Sequence, residues 1–406
     1  MQLLSICEAG LQPAAGFQPA SGTAFKPVRT MHFCLTTLCL GLVIPIAVAQ
    51  APANFDDLSR RAEAALDTNP AEAATLYKQA LDQQPSWPEG WLYLGGALYR
   101  LNRCGEAVDA FHKGLDLAPT KGAGWGFLGL CEYDLGHLDK ALSAIAKGEQ
   151  FGLGANTGFE AAVRQRAAMI LIRSSQFDQA MSQLQPLSKL QENAPAIVEA
   201  VGLCALGIAA EPSSLPESRR KVVDMAGKAM WAATCQRPHD AEAGFHELLA
   251  TYPDEPGVHY AYGLYLMDID QHGALEQFQA ERKKNPTHWP TLLVSAFLET
   301  RQGSPDVAMD LAARARKLAP PNYNWLCDAE EGRALLAKDE AEKAVPFLEE
   351  SVKLAPGNAQ THFYLEQAYR RSGKKTEAQK EKTEFLRLKA QEDPLALPGL
   401  MNNTSR

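Results

Sequence analysis

A chain of 406 residues is too long for one compact core, and its 46% apolar residues are enough to fill a continuous one. A net charge of −8 and a pI near 5.7 argue against a nucleic-acid partner, which would select a basic face. Ordinary solubility accounts for the acidic balance.

Residues 1–49 read as a secretory signal. Lys26 and Arg29 precede an apolar stretch from Phe33 to Val48, and Ala47-Val48-Ala49 sets small residues two apart, which predicts cleavage after Ala49. Met31, just before the apolar run, is an alternative start. The run is shorter than the roughly 20 apolar residues of a membrane span, with an uncleaved anchor as the alternative. Cys39 lacks a small residue directly before it, so a lipid-modified cysteine is not expected. Export makes the mature chain periplasmic or secreted, where disulfides form. Cys7, Cys34 and Cys39 leave with the leader. Cys104, Cys131, Cys204, Cys235 and Cys327 remain, an odd number without a CxxC pair, and read as small buried side chains. Cys104–Cys131 is the one pairing worth testing.

After a short linker (50–54), the chain from Phe55 to Ala390 alternates helix, short turn and helix, with apolar residues at helical spacing and no convincing strand. Trp91, Leu94, Gly95, Ala107 and Gly114 recur 34 residues on as Trp125, Leu128, Gly129, Ala141 and Gly148. A fixed period of this size marks an array of two-helix units. Asn69-Pro70-Ala71-Glu72 predicts a helix start with a capping side chain, and Ser304-Pro305-Asp306 predicts the same. Second helices lead with Ala73, Ala107, Ala141, Ala180, Ala241, Ala274, Ala308, Ala344 and Ala378, which makes nine units.

Between Ala180 and Ala241 the ruler fails. Two helices flank a turn at Glu211–Pro216, and either both are first helices or the second does double duty, so 190–237 is expected to be an irregular helical unit between an N-terminal arm (55–189) and a C-terminal arm (238–390). The first unit carries Arg61 where a glycine is expected, and the last helix is heavily charged, as end caps require. Residues 391–406 read as a loose, disordered tail whose glycosylation-like triplets are chance.

The unit from Pro88 to Pro119 resembles the tetratricopeptide repeat, whose signature is W-x2-L-G-x2-Y, A-x3-F and P. Trp91, Leu94, Gly95, Ala107, Phe111 and Pro119 match it, while Leu98 replaces the aromatic and Gly114 the small alanine. The resemblance, of the exported bacterial type, implies an all-α fold: a right-handed α-solenoid of about nine helix pairs, irregular near 190–237. It also implies that first helices line a concave groove. The groove positions are then Leu92, Gly96, Tyr99 and Arg100, followed by Gly126, Leu130 and Tyr133. In the C-terminal arm they are Tyr260, Leu264, Met267, Phe297, Arg301, Arg333, Phe363, Gln367 and Arg370. Relatives that clamp a C-terminal carboxylate use Lys and Asn where Leu92 and Gly96 stand, so such a clamp is not expected here.

No catalytic, cofactor-binding or metal constellation stands out. His239 and His246 are seven apart with Glu247 adjacent, yet no HExxH or third ligand accompanies them, and His259, His272 and His288 are scattered. A thiol-dependent enzyme, the alternative of a different class, needs a positioned thiolate with a base, and nothing places one. The expected function is a non-catalytic scaffold in the cell envelope or outside it, without cofactor or nucleic acid, binding an extended or helical protein segment in its groove. The Tyr99/Tyr133 side of the N-terminal arm is the favoured surface. A component of a polysaccharide-export or secretion complex, gripping a membrane-associated partner, is the alternative. The oligomeric state stays open.

Overall fold

A computed structural model describes residues 54–190 and 194–390. The expected leader, linker residues 50–53 and the expected tail lie outside the described residues. Every regular element among the described residues is helical, and internal packing divides the chain after Arg166 into two units.

The first unit holds α1 (Phe55–Ala65), α2 (Pro70–Gln83), α3 (Pro88–Arg100), α4 (Cys104–Leu117), α5 (Gly122–Asp134), α6 (Leu138–Phe151) and the start of α7 (Thr157–Arg173). Asn69 caps α2 as expected: its side chain accepts from the Glu72 N–H, and Pro70 opens the helix with its φ already set. Asn102 (φ 57°) ends the α3–α4 turn and Gly136 (φ 79°) the α5–α6 turn, 34 residues apart. A left-handed residue at that place lets a short turn reverse the chain.

Repetition extends to single atoms. Trp91 Nε1 donates to the Pro85 carbonyl at 2.8 Å and Trp125 Nε1 to the Pro119 carbonyl at 2.8 Å. The ammonium groups of Lys113 and Lys147 lie 4.4 Å and 4.2 Å from the centres of the same two rings. Gly95 explains the spacing of α3 and α4, since a Cβ there would come within 2.6 Å of the Phe111 ring.

The second unit takes the rest of α7, then α8 (Phe177–Leu184), α9 (Pro195–Leu206), α10 (Glu217–Thr234), α11 (Pro238–Thr251), α12 (Val258–Leu266) and α13 (Gln271–Lys284). It continues through α14 (Trp289–Arg301), α15 (Pro305–Leu318), α16 (Asn324–Ala337), α17 (Ala341–Leu354), α18 (Ala359–Arg371) and α19 (Lys375–Lys389). Helix α8 is short because Pro186 cannot continue an α-helix, and a 3-10 segment takes over at Gln185–Leu190. The same left-handed position closes other first helices as Ser175, Gln236, Gly303, Asp339 and Gly373.

All nine leading alanines are buried, eight of them with no exposed surface and Ala378, in the terminal helix, nearly so. That pattern is what a stacked array requires, because a larger side chain at the crossing would force the helices apart. Charged residues dominate the outer surface of α19, where nothing stacks.

In the expected irregular stretch, the described residues from 194 form two closely packed helices. A Cβ on Gly202 would fall on the Val223 carbonyl and one on Gly227 on the Val198 carbonyl, so α9 and α10 cross with their backbones in contact. Helix α10 packs against α9 on one side and α11 on the other, serving as the first helix of the α10–α11 pair, while α9 is the additional element. One local expectation changes: Ser304 occupies the N-cap of α15, but its side chain makes no capping bond.

A candidate binding groove

Helices α12, α14 and α16 of the second unit present one stripe each to a shared groove of about 700 Å³, part of it open solvent. From α14 come Trp289, Pro290, Leu293, Val294 and Phe297, a spacing that repeats one helical face. Tyr260 and Leu264 stand beside them on α12, and Trp325, Leu326 and Glu330 on α16.

The opposite wall comes from the chain itself. Tyr323 O–H donates to the Ser175 carbonyl at 2.5 Å and Asn322 Nδ2 to the Ser174 carbonyl at 3.3 Å, which ties the α7–α8 turn to the segment before α16, 148 positions later. This brings the Phe177 ring to 6.3 Å from Trp289, stacked, and Trp289 itself lies 4.5 Å from Tyr323. Asp178, in the first turn of α8, follows into the groove.

Two carboxyl groups face this aromatic surface. Asp178 lines the groove and is open to water, and the protein around it raises its pKa by desolvation. Glu330 is 5% exposed, and burial raises its pKa against the pull of Arg333. One guanidinium nitrogen of Arg333 lies 2.8 Å from Glu330 Oε2, but that oxygen accepts no aligned hydrogen bond. Arg333 is committed elsewhere, donating to the Phe297 carbonyl at 2.6 Å with its guanidinium 4.2 Å from the Phe297 ring centre.

The positions expected in the groove fall into three groups. Tyr260 and Phe297 line it, with Leu264. Leu92, Leu130 and Met267 are core residues instead, 3%, 3% and 5% exposed. Leu92 sinks inward because Gly114 and Gly124 lack side chains, and a Cβ at either would meet its Cδ2 within 3 Å. Met267 packs with Tyr260, Phe278 and Leu298.

The third group is spent on the chain's own wiring. Arg100 donates to the Leu66 carbonyl at 3.2 Å and pairs with Asp67 at 3.1 Å, and Arg333 is buried as described. Tyr99 packs edge-on to Phe127, and Arg166 covers the Tyr133 ring at 5.2 Å. Phe363 packs on Phe385, and Arg370, though exposed, pairs with Glu366 at 3.2 Å.

Trp289, Trp325, Phe177, Asp178 and Glu330 were not among the expected positions. A signal for the first two existed, since they are 36 residues apart, the interval between Ala308 and Ala344 in the same two units. Phe177 and Asp178 reach the groove through a contact across 148 positions, which no periodicity encodes.

Thiol chemistry finds no support in the surroundings of the cysteines. Burial raises the pKa of Cys131 and Cys204 and pushes Cys327 up to about 12, which keeps them protonated. Cys104 and Cys131 are free, their thiols hydrogen-bonded to each other, with Cys104 also 3.8 Å from Asp134. His246 contacts the Tyr262 hydroxyl, and no group of three His, Cys, Asp or Glu among the described residues could hold a metal ion. No helix among them is long and apolar enough to cross a membrane.

The tetratricopeptide-repeat family model matches residues 59–122 and 98–152. No curated protein matches the sequence. Among solved structures, MamA from Desulfovibrio magneticus RS-1, residue 41 to the end, is similar at 18% identity over 43% of this chain and 97% of its own, with a TM-score of 0.38. Yeast Tom70 is similar at 13% identity over 84% of this chain and 91% of its own (TM-score 0.36), and the P58(IPK) repeat domain at 14% over 79% and 99% (0.27). Residues 59–152 are thus built of tetratricopeptide repeats, and the buried alanines and close helix crossings seen there recur in the helix pairs through α19.

Proposed function

We propose that the protein is a non-catalytic scaffold, exported to the periplasm or beyond, that holds an extended or helical segment of another protein. The supporting observation is the groove of the second unit, where six aromatic side chains, Phe177, Tyr260, Trp289, Phe297, Tyr323 and Trp325, line one concavity. Aromatic anchors in a concave site carry a large share of interface energy. Protonated, buried thiols support a binding role over a catalytic one, and the acidic balance supports a protein partner over a nucleic acid. Both a soluble protein and the exposed segment of a membrane protein fit a groove of this kind. The expected Tyr99/Tyr133 surface is a poorer site, because Phe127 and Arg166 already occupy those rings.

A photo-crosslinking residue placed at Leu264, in the groove, and another at Leu318, exposed on α15, test this in the native envelope. The expected result is one discrete adduct, from position 264 alone, in a periplasmic or secreted chain that begins at Gln50. Adducts of equal yield at both positions, or none at position 264, overturn the reading.

A further inference from the structure

The groove's charge narrows what can occupy it. Aromatic faces carry negative potential at their centres and attract a cation placed over them. Here they stand with two carboxyl groups and no uncommitted positive charge. Among the described residues, nothing donates to the Asp178 carboxylate and no cation pairs with it. Glu330 faces Arg333 at 2.8 Å but keeps a buried oxygen without an aligned donor, the guanidinium being turned to the Phe297 carbonyl and ring.

A buried carboxyl oxygen without an aligned donor is costly, and an occupant that covered Asp178 would strip the water from a second carboxyl group. An anionic occupant would be repelled by Asp178, which no cation offsets, whereas Glu330 is already offset by Arg333. A purely apolar occupant would strip water from both and return nothing. A cationic head on an apolar stem pairs with Asp178 on the Glu330 side of the groove and lays its methylene groups on the rings, as lysine and arginine do.

We propose, building on the reading of the groove as a docking site for a protein segment, that it selects a segment bearing one lysine or arginine among apolar residues. The cation sits between Asp178 and Glu330, with Trp289 and Tyr323 beside its stem. The preference is a matter of charge complementarity, and it sets this groove apart from one that accepts any apolar helix.

The test uses the mature chain (50–406) and three fluorophore-labelled leucine-rich peptides that differ only in a central lysine, norleucine or glutamate. Anisotropy titration is expected to show the lysine peptide binding about tenfold more tightly than the norleucine peptide, equivalent to about 1.4 kcal/mol, with the glutamate peptide weakest. Asp178→Asn, a change at a water-exposed position that leaves the core intact, is expected to bring the lysine-to-norleucine ratio close to one. A norleucine peptide that binds the wild type as tightly as the lysine peptide overturns the inference while leaving the docking site standing. So does a ratio unchanged in Asp178→Asn. Failure of all three peptides to bind overturns the docking site itself and the inference with it.

Discussion

The two units are built on one register and use it to opposite ends. In the first, Leu92 and Leu130 occupy groove positions yet are buried, because the glycines around Leu92 make room for it to drop inward. In the second, Leu264 and Phe297 stand on α12 and α14 at the place of Leu130 and stay on the surface of a concavity, with Trp289, Tyr323 and Phe177 beside them. A repeat period decides which way a residue faces. Whether it ends as surface or core depends on the size of its neighbours, and these differ between the units.

The largest expected effect tests what the units share. Phe111 and Phe278 are both fully buried against a first-helix glycine, Gly95 and Gly263 respectively. Replacing either by alanine is expected to cost about 3–5 kcal/mol in urea unfolding. Stability in a repeat array is close to a sum of neighbour terms. Hydrogen-exchange protection should therefore fall mainly across α3 to α6 for Phe111→Ala and across α12 to α15 for Phe278→Ala. Equal loss along the whole chain from either variant would break the nearest-neighbour view.

A matched pair of leucine substitutions tests the difference directly. Leu92→Ala is expected to lose about 2–5 kcal/mol, as for other buried leucines. Leu264→Ala, half-buried on the groove wall, should lose about 1 kcal/mol while weakening peptide binding. Similar losses at both positions, read from the same urea curves, would mean that the groove closes in solution.

This contrast also marks the extent of what was legible beforehand. The alternation of helices, the nine leading alanines and the Asn69 cap follow from short-range patterns, and all appear in the structure. Tyr260 and Leu264 on α12 and Phe297 on α14 were expected at the groove from the repeat resemblance, and the structure places the three together on one concavity. Leu92 and Leu130 were not legible as core, because their burial depends on side chains absent from other helices. Glu330 could not be recognised as under-satisfied, since that depends on the Arg333 fork turning toward the Phe297 carbonyl.

The units also differ in how a terminal pair is fastened. Near the first end, Arg100 reaches the Leu66 carbonyl and Asp67, contacts whose cation is permanent. At the other end, His362 gives Nδ1 to Glu381 at 2.5 Å and Nε2 to the Pro356 carbonyl at 3.0 Å, so both ring nitrogens face acceptors. The bond to Glu381 is the main cause that raises the His362 pKa above 6.5, over the opposing effect of burial. A folded-state pKa above the unfolded one gives stabilisation that is full below pH 6.5 and lost as pH rises through the folded value. Hydrogen exchange in α19 is thus expected to quicken with rising pH beyond its intrinsic increase, by an opening free energy of about 1.5 kcal/mol. His362→Gln should remove that excess, and α1 should show none. An identical pH response in α1 would remove the distinction.

The smallest effect concerns two helix starts that look alike in sequence and differ in structure. Asn69 and Ser304 each precede a proline and, one residue further on or two, an acid, and each occupies an N-cap. Only Asn69 uses its side chain, accepting from the Glu72 N–H at 3.3 Å, while its own amide donates to the Glu72 carboxylate at 3.1 Å. Asn69→Ala is therefore expected to cost about 1 kcal/mol in thermal unfolding. Ser304→Ala should cost about 0.3 kcal/mol or less, within the range of ordinary surface changes. An equal cost would show that the Ser304 hydroxyl turns to cap α15 in solution, and would make the two units alike at their helix starts as well as in their buried alanines.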